Sequence, residues 1–116
     1  MQTDWARNLP VAVTVCDSRG TIVYMNEKSC KTFEKDGGRN LVGKNVLDCH
    51  PEPARGKLKK MLETRATNCY TMEKAGVKKL IYQTPWYDEN NEFGGMVELS
   101  MQVPFDMPHF VRAAQS

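Results

Sequence analysis

At 116 residues the chain has room for one domain and one core, and 41% hydrophobic against 26% charged residues excludes a disordered polypeptide. The formal net charge of +2 is too small for a nucleic-acid footprint, and the cluster Arg55, Lys57, Lys59 and Lys60 surrounds an apolar stripe, as the wet side of a helix does. No apolar run reaches the ~20 residues of a membrane span and the N-terminus lacks a signal peptide's apolar centre, so no membrane association and a cytoplasmic location are expected.

In chain order, residues 4–9 are expected to form a short helix stopped by Pro10, with Trp5 as its anchor. Residues 11–17 and 21–25 are the first two strands. Asp17-Ser18-Arg19-Gly20 between them carries turn chemistry, because Asp bonds its own backbone and Gly accepts positive φ. Asn26 stands where a helix N-cap belongs, and Met25 with Cys30 forms a hydrophobic staple across it. The helix then spans 26–35, with Cys30 and Phe33 on one face, and Gly37-Gly38 ends it. Residues 41–49 hold one or two helical turns. Pro53 opens the next helix at its first position, and Leu58, Met61 and Leu62 make its apolar face. Residues 68–74 and 77–86 alternate as strands around an Ala75-Gly76 turn, 88–92 is a polar loop, and 96–103 is the last strand. Cys16, Cys30, Cys49 and Cys69 show no CxxC spacing and read as reduced, mostly buried thiols.

Two strands, a block of short helices and three strands make an α+β pattern. The opening run, Asp17-Ser18-Arg19-Gly20-Thr21-Ile22-Val23-Tyr24-Met25-Asn26 through Phe33, resembles the start of a PAS domain. Gly43 followed by Val46 and Cys49-His50-Pro51-Glu52 resembles that family's helical stretch, and Thr84-Pro85-Trp86-Tyr87-Asp88 to Gly94-Gly95 resembles its late hairpin. The resemblance covers about residues 9–103. It implies a five-stranded antiparallel sheet in order 2-1-5-4-3 with short helices over one face, and a sensory rather than enzymatic role. The expected division is an N-terminal helical cap at 1–10, the PAS domain at 11–103 and a tail at 104–116. Pro53 departs from the family pattern, and Pro104 and Pro108 interrupt any helix leaving the last strand. The expectation is therefore that no output domain is attached and that signal leaves by association with another chain.

Few residues carry chemistry. His50 is the candidate axial ligand if the family's haem-binding mode applies, although His-Pro recurs in the fold without haem. Zinc is not expected, since Cys49 and His50 lack a second ligand pair. Gly43-Lys44-Asn45 echoes the flavin-binding subclass, yet Val46 occupies the position of its reactive cysteine. Ser100 has no base partner in sequence and His109 lies in the tail, so no catalytic set is expected.

Alternation divides the strands into two faces. One is apolar: Val11, Val13, Val15, Tyr70, Met72, Leu80, Tyr82, Trp86, Val97, Leu99, Met101 and Val103. The other is mixed: Ala12, Thr14, Cys16, Cys69, Thr71, Lys79, Ile81, Gln83, Met96, Glu98 and Ser100. Pattern alone packs the apolar set under the helices, whereas the family count puts the mixed set there. On the family count, Thr14, Cys16, Asn26, Phe33, His50, Lys79, Ile81, Gln83 and Glu98 form a small-molecule pocket, with Lys79 or a ligand answering the Glu98 carboxylate. Trp5, Val11, Val13, Val15, Tyr82, Leu99 and Met101 then form a homodimer face. On the other count Glu98 is a solvated strand residue. The expected function is a sensory module that binds a small molecule, an unidentified signalling protein, or both. The alternatives are a haem or flavin sensor and a purely structural dimerisation module.

Overall fold

Two hairpin turns of one construction help to set the register of the sheet. Asp17 Oδ1 accepts the Arg19 and Thr21 N–H groups (2.9 and 3.0 Å), and Asp88 Oδ1 accepts those of Asn90 and Glu92 at the same spacing and distances. The fourth residue of each turn is left-handed, Gly20 at φ 91° and Asn91 at φ 61°. The computed structural model describes residues 4–114. Its elements are β1 (Ala12–Asp17), β2 (Ile22–Met25), α1 (Glu27–Thr32), 3₁₀ turns at Glu34–Asp36 and Gly38–Leu41, α2 (Ala54–Thr64), β3 (Asn68–Lys74), β4 (Val77–Tyr87) and β5 (Phe93–Val103).

The strands form one antiparallel sheet in the order β2-β1-β5-β4-β3. Irregularities in register let residues three apart share a face. One, between Val15 and Cys16 against β2, turns both Ile22 and Met25 inward. Another, at Trp86/Tyr87, puts Phe93 beside Met96 in the core. Trp86 crosses β5 and donates its indole N–H to the Cys16 carbonyl (3.0 Å). That crossing needs Gly94 and Gly95. A Cβ on Gly94 would meet the Trp86 ring at 2.4 Å, and one on Gly95 would meet the Cys16 oxygen at 2.0 Å.

The helical segments cover one face. Cys16, Met61 and Met96 form one core cluster, and Ile22, Met25 and Leu41 form the other. Asn26 caps α1 and is wholly buried. Its Oδ1 accepts the Ser29 and Val13 N–H groups (2.9 and 3.0 Å), and its Nδ2 donates to the Ala6 and Val11 carbonyls (2.8 Å each). The amide thus joins helix, strand and N-terminal segment.

Several elements differ from expectation. Residues 4–9 form turns rather than a helix: the Arg7 and Leu9 N–H groups close three-residue bonds onto Asp4 and Ala6, Pro10 has no N–H to continue them, and the Ala6 and Arg7 carbonyls accept from Asn26 and Glu27. Trp5 is 76% exposed and anchors nothing. Helix α1 stops at Thr32, and two 3₁₀ turns follow in place of its last turn. Residues 41–49 are not helical beyond Leu41. They run along the free edge of β2, where Ile22 N–H donates to Lys44 O and Gly43 N–H to Ile22 O (2.8 Å each). Pro53 is the N-cap of α2 rather than its first residue. The four thiols are free, but Cys49 and Cys69 are exposed and only Cys16 is buried.

Replacing Asn26 by Ala removes four hydrogen bonds, to the Val13 and Ser29 amides and to the Ala6 and Val11 carbonyls. We expect a loss of about 2–4 kcal/mol, read as a lower urea midpoint at unchanged slope. A variant within about 0.5 kcal/mol of wild type would show that the four bonds contribute little.

Candidate functional site

The order of strands leaves β1, β5, β4 and β3 side by side beneath α2, and a cavity of about 1210 Å³ opens between them. Helix α2 is fastened mainly at its C-terminal end. Met61 and Leu62 enter the core there, and the guanidinium of Arg65, left-handed at φ 58°, lies 4.5 Å from the Phe93 ring centre. Toward its N-terminus, Ala54, Lys57 and Leu58 line the cavity instead of filling it.

The mixed set of β1, β4 and β5 faces this space. Of the residues singled out in sequence, Thr14, Cys16, Phe33, His50, Lys79, Ile81, Gln83 and Glu98 all line it. Asn26 does not, since its amide is used up internally. In β3 the phase is the reverse of the family count and agrees with the apolar pattern instead. Asn68, Tyr70 and Met72 line the cavity because they pair with Gln83, Ile81 and Lys79, while Cys69 and Thr71 belong to the other face. The signal was present in the Ala75-Gly76 turn, which pairs Lys74 with Val77 and so fixes every rung behind it.

The floor carries a directed row of hydrogen bonds. Asn68 Nδ2 donates to Gln83 Oε1 (3.0 Å), and Gln83 Nε2 donates to Glu98 Oε1 (2.7 Å). Thr14 and Ser29 share a hydroxyl bond nearby in the sequence of rungs. Lys79 is not the partner of Glu98. The Ile81–Ser100 rung stands between them, and four residues of strand separate Lys79 from Gln83, about 13 Å. The walls are apolar, from Phe33, Leu41, Val46, Leu58 and Met61. His50 stands at the helical wall with Nδ1 2.7 Å from the Val46 carbonyl. Asn45 does not line this cavity, and its amide bonds the Arg19 carbonyl and the Leu47 N–H. Among the described residues no group of three potential metal ligands occurs.

On the opposite face, Val13 is buried, Val11, Val15, Leu99 and Met101 are half-buried, and Tyr82 is 38% exposed. Trp5 stands apart from a covering helix, since none forms there.

The PAS-fold family model matches residues 6–103. The chain belongs to the PAS-fold family. Members of the family serve as sensory modules in signalling proteins. Its sheet superposes on the PAS domain of BvgS from Bordetella pertussis with a TM-score of 0.64 at 15% identity, covering 84% of this chain and 80% of that one. A sensory box histidine kinase from Vibrio cholerae gives 0.57 at 20% identity, over 84% and 85% of the two chains. The Aer2 receptor from Vibrio cholerae, described as a dual PAS-haem oxygen sensor, gives 0.56 at 20% identity, over 81% and 95%. No curated protein matches the sequence. No helix is long and apolar enough to cross a membrane, among the described residues.

Three groups hold their protons more tightly than usual. Burial pushes the Cys16 thiol up, partial burial and then the Glu98 charge raise Tyr70, and desolvation and a bond to Asp4 raise Tyr24. Each is an acid that the unfolded chain releases first, so stability is whole below the unfolded values and falls as pH rises through about 8.5–10. The urea midpoint should decline over that range, and a flat profile would contradict the assignment.

Proposed function

We propose that the chain is a sensory PAS module, residues 11–103, that takes a small molecule into the cavity between α2 and the sheet. The observation that carries this reading is the cavity itself, about 1210 Å³ with apolar walls and one polar row, Asn68–Gln83–Glu98, on its floor. Ligand pockets combine a mostly apolar lining with a few placed polar groups in this way. Thr14, Cys16, Phe33, Ile81 and Lys79 complete the binding surface, and no step of catalysis is assigned to it. Signal passes to a second copy of the chain or to another signalling protein through the outer face of Val13, Val15, Tyr82, Leu99 and Met101. The module acts in the cytoplasm.

A second reading rests on His50. A carbonyl at Nδ1 fixes the tautomer that leaves Nε2 free, as in histidines that ligate metals. Lys57, Lys74 and Lys79 also line the cavity and suit the propionates of a haem. The Aer2 receptor is described as a PAS-haem sensor. Bound haem would supply a gas- or redox-responsive iron, and His50 would hold it. The absorption spectrum of freshly purified protein separates the readings. A Soret band that disappears in His50→Ala supports haem, and a band that survives removes His50 as the ligand.

The cavity reading is tested with the uncharged fluorophore N-phenyl-1-naphthylamine. Wild type should bind it at one site, and Ile81→Trp, which fills the floor, should weaken binding about tenfold or more. Tyr82→Ala, on the other face, should leave it unchanged. Loss in Tyr82→Ala with none in Ile81→Trp would place binding on the wrong face of the sheet.

A further inference from the structure

We propose that the cavity selects a small organic cation, such as an amine or amidine carried on a flat or compact apolar body, and that Glu98 is the residue that recognises it. This rests on the cavity being the ligand site.

The Glu98 carboxylate is the fixed charge on the polar row. Gln83 can bond Asn68 and Glu98 together only with its carbonyl toward Asn68 and its NH₂ toward Glu98, because an ionised carboxylate accepts and never donates. Glu98 Oε1 is thus held in place by one neutral donor, and the carboxylate retains free acceptor positions facing the cavity. It has no cation. The ion pairs among the described residues are Arg7–Asp4, Arg7–Glu27 and Arg39–Glu27, all at the N-terminal end of the sheet. A half-buried carboxylate with one neutral partner gains most from a charged donor, and such bonds are about twice as strong as neutral ones. Tyr70 lies on the same wall, close enough for the Glu98 charge to raise its hydroxyl pKa. A carboxylate beside an aromatic ring answers both the charge and the face of an organic cation. Lys57, Lys74 and Lys79 line the same cavity, but none of them forms an ion pair among the described residues, and Lys79 stands two same-face rungs from Gln83–Glu98.

Benzamidine, benzamide and benzoate share one shape and differ in charge, so they serve as probes in a chemical-shift titration. Benzamidine should bind wild type about tenfold more tightly than benzoate or better. Glu98→Gln keeps the acceptor for Gln83 and should remove that preference while leaving benzamide within about threefold. Lys78→Gln, the same loss of charge on the opposite face of the sheet, should change benzamidine affinity by less than about twofold. Should Glu98→Gln fail to fold, Glu98→Ala, which removes the charge outright, is expected to abolish the preference in the same way. Equal binding of benzamidine and benzoate, or a preference that survives both variants, overturns the assignment to Glu98. Failure of the uncharged N-phenyl-1-naphthylamine to enter the cavity would instead overturn the ligand reading beneath it.

Discussion

The arrangement of this fold depends on one buried amide. Asn26 has four hydrogen-bonding positions and the structure uses all of them, on Val13, Ser29, Ala6 and Val11. The partners belong to three stretches of chain, so satisfying the amide fixes where β1, α1 and the N-terminal segment meet. The Ser29 hydroxyl then falls against Thr14 on the cavity face. Glu27, the next residue, accepts from Arg39, whose guanidinium also bonds the Met25 carbonyl at 2.9 Å. The 3₁₀ turn carrying Leu41 is thereby drawn over Ile22 and Met25. The exposed ion pairs themselves contribute little. Their value is directional, because they act on chain that the Asn26 amide has already positioned.

What was legible in the sequence was local. The Asn26 cap, the Asp17 turn and the Leu58-Met61-Leu62 stripe each need only a few neighbouring residues to specify them. Their chemistry is complete within one turn of chain, and the order of elements followed from them. Residues 4–9 were illegible for the opposite reason: the groups that hold their turns against the domain lie about twenty positions away, at Asn26 and Glu27. Residues 43–46 likewise take their conformation from the edge of β2. The phase of β3 was present in its own alternation, Tyr70 and Met72 against Cys69 and Thr71, and was lost only when the strand was grouped with the opposite face of its neighbours. The register imposed by the Ala75-Gly76 turn agrees with that alternation.

The choice of sheet face is the more instructive case. Hydrophobic patterning assigns the greasier face to the helices, and here the mixed face lies there. The rule assumes a filled interior. Beneath α2 the sheet presents Asn68, Gln83 and Glu98, and packing an apolar helix on them would cost several kcal/mol of desolvation. Met61 and Leu62 therefore meet the sheet at Cys16, Met96 and Phe93, beyond the end of the polar row. The polar row and the open cavity are one feature: the first keeps the helix away, and the second gives the carboxylate room to be answered. A local rule failing at one place in an otherwise consistent sequence is itself a mark of function.

The same alternation that divides the faces also connects them. Gln83 and Glu98 form one rung of the β4–β5 ladder, and Tyr82 and Leu99 form the next one, pointing to the other side. A ligand that draws Glu98 toward itself must also shift its rung, and the neighbouring rung carries the exposed Tyr82 ring. Such a shift becomes a signal only if the ligand binds two arrangements of the sheet with different affinity. Gly95 and Trp86 limit where that freedom lies. The contact of Gly95 with the Cys16 carbonyl leaves no room for even a Cβ, and the Trp86 indole clamps the same oxygen. The hairpin end of β4 and β5 is thus held rigidly to β1. Movement is left to the rungs from Gln83–Glu98 toward the Ala75-Gly76 turn, which are the rungs that line the cavity on one side and present Tyr82, Leu99 and Met101 on the other.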